Sequence, residues 1–373
     1  MSIVKKNPVR SLPFTKSVGF RKVLNERVDQ HLKENKLPAR DVPAMYIKTV
    51  IVFAWWLAAY LLLLLGGFPV WANIILLLVW AVSIAAIGFN VMHDANHNGY
   101  SNNPRVNKIL SFSAEFLGIS GFRWRTKHNV WHHTYTNIAG LDDDVETYGT
   151  MRLSPHEPWK PIFRAQHWYF PLVYSFIGFD FIIRDFLMIF LGKSDATHVY
   201  PKMTRNDKIV FWAGKAFFFT IMIALPMLVF PWWQVLIGAS LVLLIVGMLT
   251  SLVFQLAHIM EAAEFPEPSG DPLQMANEWA VHEVQTTVNF APRNSVLNWY
   301  IGGLNFQIEH HLLPHICHIN YPQLAPIVQK TCDEFGIKYY SYPTWRGAFM
   351  SHWRELRNLG RKEMRPATAI AGK

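Results

Sequence analysis

The sequence predicts an all-α integral membrane protein with four transmembrane helices, arranged as two hairpins beneath a cytoplasmic helical cap. Of the 373 residues, 51% are hydrophobic, and they are concentrated in long blocks rather than in the short runs of a soluble core. Four blocks are long enough and poor enough in charge to cross a bilayer. The polar stretches between them are too long to be simple loops, so they are expected to form the cap.

The four predicted spans are joined in pairs. A span needs about 20 apolar residues, and the first block reaches that length only by extending into its flanks. The third block contains Lys215 near its start, where a long side chain can reach the lipid headgroups. Both connections, Gly66–Pro69 and Phe230–Pro231, are tight turns without charge. The predicted spans are Thr49–Leu65, Val70–Met92, Ile209–Val229 and Trp232–Ala257.

The distribution of basic residues predicts the orientation. The first 48 residues hold eleven Lys or Arg, and such residues accumulate on the cytoplasmic side of membranes. Both termini are therefore expected in the cytoplasm and both turns outside, in a multi-pass protein of a bacterial inner membrane. The expected segments are a cytoplasmic N-terminal segment (1–48), two hairpins (49–92 and 209–257), two parts of the cap (93–208 and 258–345) and a basic C-terminal tail (346–373).

Two further apolar segments are expected to stay out of the bilayer core. Lys108–Phe122 is too short to span, which favours a re-entrant or surface helix. His167–Leu191 is long enough, but it contains Asp180, Arg184 and Asp185. Because charges are costly inside lipid, an amphipathic helix lying in the interface explains this segment better.

Net charge and cysteine content exclude two other classes of protein. The formal net charge of +9 does not indicate nucleic-acid binding, because no basic stripe carries interleaved aromatic residues. Anionic lipid headgroups account for the charge more simply. The two cysteines, Cys317 and Cys332, cannot build a disulfide framework, so a reducing compartment is expected.

Many of the sixteen histidines fall into three short clusters. Residues three or four apart share one face of a helix, so each cluster can direct its side chains at one point. With four spans, all three clusters lie on the cytoplasmic side of the membrane. They are HDANH with His93 and His97, HNVWHH with His128, His132 and His133, and QIEHH with Gln307, His310 and His311.

The histidines outside the clusters differ in their expected roles. His258 ends the fourth span on the cytoplasmic side and is expected to join the clusters. His282 is equally well explained as a metal ligand or as a residue that orients one. His315 and His318 are expected to support the third cluster. The isolated residues are expected to be ordinary surface or interface histidines, namely His31, His156, His167, His198 and His352.

The surplus of imidazoles predicts two metal ions. Imidazole suits iron, zinc, copper and nickel, and a zinc enzyme needs only three protein ligands and a water. The clusters contain no thiolate, which argues against iron–sulfur chemistry. Neighbouring acids can accept the second N–H of a ligand imidazole, or they can bind the metal themselves, as in carboxylate-bridged di-iron bundles. These acids are Asp94, Asp142, Asp143, Asp144 and Glu309.

At these residues the sequence resembles the membrane fatty acid desaturases, in particular the group whose third cluster opens with Gln. The matching stretches lie between about residues 88 and 325 and are HDANH, HNVWHHTYTN, FQLAHIMEAAEF, VHEVQTTVNFA and GGLNFQIEHHLLP. The resemblance implies a cytoplasmic cap that holds a non-haem di-iron site and uses dioxygen to insert a double bond into an acyl chain. By motif match it assigns iron ligation to His93, His97, His128, His132, His133, His258, His310 and His311.

The resemblance also has implications for substrate and partners. Gln307 is typical of front-end desaturases, which act between an existing double bond and the carboxyl end. The substrate is expected to be an acyl-CoA, an acyl-ACP or an acyl lipid. The chain lacks the HPGG motif of a fused cytochrome b5 domain, so we expect a separate electron donor of the ferredoxin or cytochrome b5 type. Arg123, Arg125 and Lys127 could hold an anionic headgroup, although contact with lipid phosphates is the simpler interpretation.

Three alternatives remain at this point. A hydroxylase or ketolase could use the same di-iron site. A haem-binding electron-transfer protein would instead ligate its haem through single histidines from inside facing helices. A metal transporter would place its ligands near the middle of the membrane, where these four spans have none.

Overall fold

The computed structural model describes residues 12–192 and 198–363 of the chain, and these residues are mostly helical. Short 3₁₀ turns at Phe112–Leu117, Pro161–Ala165 and His318–Asn320 connect some of the helices. Two-residue strands, β1 (Asn289–Phe290) and β2 (Ser341–Tyr342), form one parallel pair. In chain order the helices are α1 (Phe20–Glu34), α2 (Pro43–Leu65), α3 (Val70–Asn96), α4 (Pro104–Ser111), α5 (from Gly121 to Tyr135), α6 (Gln166–Ser175), α7 (Ile177–Leu191), α8 (Arg205–Leu228), α9 (Trp232–His258), α10 (Trp279–Thr286), α11 (Ser295–Tyr300), α12 (Gln307–Leu312), α13 (Tyr321–Glu334) and α14 (Trp345–Leu359).

Four helices in the described ranges are long and apolar enough to cross a membrane, namely α2, α3, α8 and α9. This confirms the four predicted spans. The first span begins at Pro43, six residues before the predicted start, because proline suits the first turn of a helix, where its missing N–H is not needed. Helix α3 packs against both α2 and α9. The buried centre of this layer contains Trp56, Trp80, Ile84 and Val242.

One detail of the third span differs from expectation. The Lys215 side chain does not extend towards headgroups, because the residue is only 2% exposed. Its ammonium group donates to the Gly118 carbonyl oxygen at 2.7 Å and lies 2.6 Å from the Asp185 carboxylate. The side chain therefore turns into the protein, where two acceptors satisfy it.

The segment that was predicted as one interfacial helix, His167–Leu191, forms two helices, α6 and α7. Both pack against α9. Glycines allow this close approach. A Cβ atom on Gly178 would lie 2.2 Å from the Leu243 carbonyl oxygen, and one on Gly247 would lie 2.2 Å from the Ser175 carbonyl oxygen. Trp168 and Leu172 on the outer face of α6 are 70% and 62% exposed. These two side chains lie one helical turn apart and form an exposed apolar stripe, which is typical of a helix that contacts lipid.

The remaining helices form a second layer at one end of the spans. Its core is contributed by α1, α10, α12 and α13, and it includes Phe20, Leu24, Ile308, Leu324 and Val328. Each of these side chains is almost inaccessible to solvent. The layer therefore has an apolar core of its own and can hold α12 rigidly.

The helices that carry the first two histidine clusters are not regular α-helices. Helix α3 contains a π-helical turn at Gly88–Met92, directly before His93. Helix α5 starts as an α-helix at Gly121–Trp124, becomes π-helical over Arg125–His132 and ends as an α-helix at His133–Tyr135. A π-helix closes its hydrogen bonds over five residues rather than four. Residues five apart, such as His128 and His133, can therefore meet on one face.

Candidate metal centre

Four helices deliver imidazole rings to one buried volume. Helix α3 carries the first cluster, α5 the second, α12 the third, and α9 ends at His258. Ring centres lie 4.4 Å apart for His93 and His310, 4.3 Å apart for His133 and His311, and 4.7 Å apart for His132 and His258. The structure therefore brings together all eight histidines that were predicted to bind metal.

Seven of the eight rings fall into two groups. Within each group the potential ligand atoms lie within 4.8 Å of one another. His133 forms a further group with His310 and His311 and so lies between the first two. Two separate sets of at least three imidazoles can hold two ions, whereas one ion needs a single set. The groups are His93, His97, His128 and His310, and separately His132, His258 and His311.

Unpaired ring nitrogens show that these residues fit metal ions. In the part of the chain that the structure describes, five of the eight clustered histidines have a buried Nε2 atom with no hydrogen-bond partner. A buried polar atom without a partner is costly, and here several of them face one volume. The arrangement is explained if each lone pair binds a cation. The five atoms belong to His93, His97, His132, His258 and His311.

Close approaches between nitrogens agree with this explanation. The Nε2 atom of His133 lies 3.0 Å from Nε2 of His310 and 3.3 Å from Nε2 of His128. Two nitrogens that bind one metal at about 2.0–2.1 Å, at roughly a right angle, are separated by about 3 Å. The donor set consists of imidazole and carboxylate without thiolate, which suits non-haem iron.

The opposite ring nitrogen, Nδ1, is held by the protein in several of these residues. His132 faces the Asp142 carboxylate at 3.1 Å, and His258 faces the Thr286 carbonyl oxygen at 3.3 Å. His310 faces the Tyr321 hydroxyl at 3.4 Å. Anchoring Nδ1 in this way fixes the tautomer and points Nε2 inward, as in known metal sites.

Burial keeps most of these rings neutral. It lowers the pKa of His128 to about 3, although the nearby Asp144 carboxylate opposes the shift. Burial also holds the pKa values of His133, His310 and His311 well below the ordinary value. Neutral imidazole is the form that binds metal.

His132 is the exception among the rings with a shifted pKa. Burial lowers its pKa, but Asp142 and then Asp144 outweigh that effect and raise the value to about 9. Both carboxylates favour positive charge at this ring. They would equally favour a metal cation in front of its Nε2 atom.

Sequence reasoning missed Glu283 and Thr136. The Glu283 carboxylate lies 2.7 Å from Nδ1 of His311 and accepts the Thr136 hydroxyl at 2.9 Å. Both residues are inaccessible to solvent, and burial raises the pKa of Glu283 well above its ordinary value. Glu283 thus orients His311. It directly follows His282 in VHEVQTT, a stretch in which only the histidine was considered.

Asn137 was also missed. Its left-handed backbone, with φ of 59°, is one that asparagine tolerates. Its side-chain amide donates to the His258 carbonyl oxygen at 3.0 Å and to the Glu264 carbonyl oxygen at 3.1 Å. Its backbone N–H donates to Asp142 at 2.8 Å. Asn137 therefore ties the end of the second cluster to the end of α9, and its position as the last residue of HNVWHHTYTN was the available signal.

The remaining predicted acids have different surroundings. Asp94 lies 2.8 Å from Nδ1 of His318, and the Lys48 ammonium group lies 2.9 Å from Nε2 of the same ring. Asp94, Cys317 and His318 could form a third metal group by distance alone. However, Lys48 already supplies a cation there, so we assign this cluster to internal ion pairing.

Glu309 and Asp143 complete the set of predicted acids. The Glu309 carboxylate accepts from the Asn289 amide at 2.7 Å and from the Tyr339 hydroxyl at 2.8 Å. Burial raises its pKa to about 7. Asp143 is buried and borders the cavity described below. Glu309 therefore anchors α12 to β1 rather than facing the imidazoles.

His282 and Gln307 differ in their contacts near the metal centre. The Nε2 atom of His282 faces the Thr136 carbonyl oxygen at 2.9 Å, which makes it a residue that holds α5 rather than a ligand. Gln307 is 1% exposed, and its amide nitrogen has no hydrogen-bond partner among the described residues. Gln307 thus remains a candidate for contact with a bound group.

The isolated histidines lie outside the two metal groups. The expectation of an ordinary surface or interface histidine is wrong for His352, which is 0% exposed. Its Nδ1 atom faces the Ile259 carbonyl oxygen at 2.7 Å, and its Nε2 atom faces the Tyr174 hydroxyl at 3.0 Å. His198 stacks on Trp131 with ring centres 4.6 Å apart. His318 supports the first cluster through Asp94 rather than the third.

A cavity of about 380 Å³ reaches the metal centre from one side. Trp124, His128 and Phe254 line it beside the metal centre, and Asp180 and Arg184 of α7 line another part, here called the rim. The Trp124 ring centre lies 4.4 Å from that of His128, and the Phe254 ring centre lies 5.7 Å from it. The size is that of a small-molecule site, about 300–1,000 Å³. Apolar residues line the cavity, including Ile119, Leu153, Val173, Ile177 and Phe181.

The three basic residues before the second cluster do not extend towards lipid phosphates. Arg123 is 1% exposed and lies 3.8 Å from Asp185. Arg125 donates to the Asn96 side chain at 3.0 Å. Lys127 pairs with Asp144 at 3.1 Å. These contacts hold the three residues to neighbouring side chains, and the simpler interpretation from sequence is wrong for the buried Arg123.

Comparison with known proteins identifies the relatives of this chain. Residues 69–343 match the family described as fatty acid desaturase. A protein of Arthrospira platensis named sn-1 linoleoyl-lipid 6-desaturase is 40% identical over 93% of this chain and 94% of its own length. A protein of Synechocystis sp. with the same name is 40% identical over 94% of this chain and 98% of its own length. The acyl-lipid (8-3)-desaturase of Physcomitrium patens is 32% identical over 93% of this chain and 72% of its own length.

Proposed function

Because this chain belongs to the fatty acid desaturase family, we propose that it inserts a cis double bond into a lipid-bound acyl chain at a centre of two non-haem iron ions. That the chain is a membrane fatty-acyl desaturase follows from the family and from its four apolar helices. The observation that carries the proposed metal content is the presence of two groups of buried imidazoles that share no residue, with a third group, His133, His310 and His311, that overlaps both.

The iron ligands would be the eight clustered histidines. One ion would be held by His93, His97, His128 and His310, and the other by His132, His258 and His311, with His133 between them. A methylene pair has no acidic proton, so acid–base groups alone cannot remove its hydrogens, and the bound irons would supply the activation of dioxygen that this step requires. Glu283, Asp142 and Asn137 would keep the ligands oriented.

The acyl chain would occupy the apolar cavity that ends at the metal centre. Trp124 and Phe254 contact both the cavity and the imidazoles. Their flat rings would hold one carbon–carbon bond of a flexible chain beside the ions, which favours reaction by orientation. The charged rim would face the polar end of the substrate.

The relatives suggest the substrate and the position of the double bond. Two proteins of nearly equal length that are 40% identical are named for a linoleoyl lipid and for position 6. We therefore propose front-end desaturation of a linoleoyl chain esterified to a lipid. A separate electron donor of the ferredoxin or cytochrome b5 type would supply two electrons per turnover.

The orientation in the membrane is also a proposal. The eleven Lys or Arg before residue 49 favour a cytoplasmic N-terminus. Two hairpins (49–92 and 209–257) would then leave both parts of the cap (93–208 and 258–345) and the basic tail (346–373) on the cytoplasmic side of a bacterial inner membrane. The electron donor would reach the metal centre from that side.

Expression in a bacterial host that contains linoleate and lacks this activity tests the function. The expected product is a linoleate-derived acyl chain with one additional double bond at carbon 6, found by mass spectrometry of the extracted lipids. The purified protein should contain about two irons per chain and no haem absorption band. A hydroxylated or ketone product, or one zinc per chain without iron, would contradict the proposal.

A further inference from the structure

Four charged side chains form a buried cluster between the spans and the metal centre. Glu115, Arg123, Asp185 and Lys215 are each 2% exposed or less. Lys215 lies 2.6 Å from Asp185 and 3.6 Å from Glu115. Asp185 also accepts the Ser120 backbone N–H at 2.6 Å. Burial raises the pKa of Glu115 to about 8 and that of Asp185 above its ordinary value, and the nearby Lys215 ammonium group opposes both shifts.

The cluster joins three parts of the chain. Asp185 belongs to α7 and Lys215 to the membrane span α8. Ser120 and Arg123 begin α5, the helix that continues to the second histidine cluster. Glycines make room for this contact, since a Cβ atom on Gly214 would lie 2.3 Å from the Glu115 carboxyl carbon.

Two of these parts, α5 and α7, also line the cavity. The rim carries Arg184, the neighbour of Asp185, whose guanidinium lies 3.6 Å above the Tyr148 ring. Arg184 also donates to Asp180 at 3.0 Å. The part beside the metal centre is lined by Trp124 and His128, which follow Arg123 in the same helix. Asp185 therefore links the rim of the cavity to the helix that bears the metal ligands.

Ion pairs and apolar contacts differ in how strictly they fix the relative position of two helices. Replacing a buried ion pair by apolar residues is often neutral for stability, so stability alone does not explain this cluster. Apolar surfaces tolerate sliding, whereas an ionised group has one position in which its partners are satisfied. Sliding a helix by one residue moves it about 1.5 Å, which is close to the length of one carbon–carbon bond.

We propose that this ion cluster sets the distance from the cavity rim to the metal centre and thereby determines which carbon, counted from the carboxyl end, is desaturated. The proposal rests on the proposed desaturase function and deepens it. Asp185 and Lys215 act as positioning residues, because they touch neither the acyl chain nor the imidazoles. The polar end of the substrate stays at the rim, and the cluster keeps the rim at a constant distance from the ligands of α5.

The test compares the wild-type protein with Lys215→Met and Asp185→Asn in a host that contains linoleate. The position of the new double bond is determined by mass spectrometry, and iron per chain is measured on the purified proteins. Wild type is expected to give one position. Both variants are expected to retain iron and to raise the fraction of product at neighbouring carbons at least tenfold, which corresponds to about 1.4 kcal/mol of lost discrimination. Lys215→Arg should restore most of the single position.

One control and the second test variant make the outcome decisive. Leu324→Ala removes a core side chain of the α13 layer, remote from the cluster, and should lower thermal stability while the double-bond position stays unchanged. Asp185→Asn keeps an oxygen for the Ser120 N–H and serves if Lys215→Met fails to accumulate. Active variants with the wild-type position would overturn the proposal. If wild type itself makes no new double bond, the proposed function fails instead.

Discussion

At the scale of single residues, His282 and Glu283 show where sequence reasoning succeeds and where it stops. The motif VHEVQTT directed attention to the histidine, yet Glu283 is the residue that contacts a metal-facing ring. Adjacent residues of a helix point about 100° apart, and here Glu283 faces His311 whereas His282 faces the Thr136 carbonyl oxygen. Which residue faces the imidazoles depends on the rotation of α10 about its axis, and a helix of eight residues does not reveal that rotation in its sequence.

The contact between Glu283 and His311 leads to a prediction. Glu283→Gln keeps the size of the side chain but weakens the hydrogen bond that orients His311. Loss of such a contact typically costs about 10–100-fold in metal affinity or activity, so iron per chain should fall after dialysis against a chelator. Glu261→Gln removes a carboxylate that pairs with Arg354 at the surface and should retain iron. Equal retention in both variants would contradict the assigned role of Glu283.

His258 was predicted from the end of a span rather than from a motif, and its ligand role is tested separately. His258→Ala removes one of three imidazoles from its group, so purified protein should lose iron and at least about tenfold in activity while still inserting into the membrane. His31→Ala, on the half-exposed face of α1, is the control. Near-normal iron in His258→Ala would leave only the three clusters as the site.

At the scale of helices, the hydrophobic pattern predicted the membrane spans, which depend on the length and composition of a segment. All four spans were found, because a block of about 20 apolar residues has few alternatives. The π-helical turns at Gly88–Met92 and Arg125–His132 were not predicted. A single extra residue in a turn hardly changes hydrophobic periodicity, although it changes which histidines share a face.

The packing of α6 and α7 on α9 leads to a prediction with an internal control. Gly247→Ala would place a methyl group 2.2 Å from a carbonyl oxygen, whereas the same change at Gly238 would meet only Leu77 at 3.7 Å. Gly247→Ala should therefore destabilise the protein by about 1–3 kcal/mol. Gly238→Ala should be neutral or stabilise it by up to about 1 kcal/mol, as alanine favours helix. Thermal unfolding in detergent measures both, and equal shifts would contradict this account of the packing.

At the scale of the whole molecule, the sequence predicted the layers of helices but not the ion pairs that connect one helix to another. Lys215 was expected near headgroups, and Asp185 on the wet side of an interfacial helix. The two side chains meet inside the protein instead. They are 30 positions apart in the chain, and nothing in the local sequence marks them as partners. Long-range pairing of this kind requires the packed arrangement of α5, α7 and α8.

The proposed orientation of the molecule gives the last prediction. Reporter fusions at both termini should be active only in the cytoplasm, whereas a reporter inserted at Gly67, in the first turn, should be active only outside. The reason is the basic N-terminal segment, which resists transfer across the membrane. A C-terminal reporter found outside would contradict the arrangement, since the third cluster could not then reach the first two.

The π-helical turns have a consequence for how this protein can change in evolution. Each such turn differs from an α-helix by one inserted residue, and deleting that residue would rotate everything after it by about 100°. In α5 the deletion would turn His132 and His133 away from their partners on α9 and α12. Relatives with the same chemistry can therefore exchange many side chains around the site. The number of residues within these two helices, however, must remain constant. Natural insertions and deletions should therefore be confined to the loops.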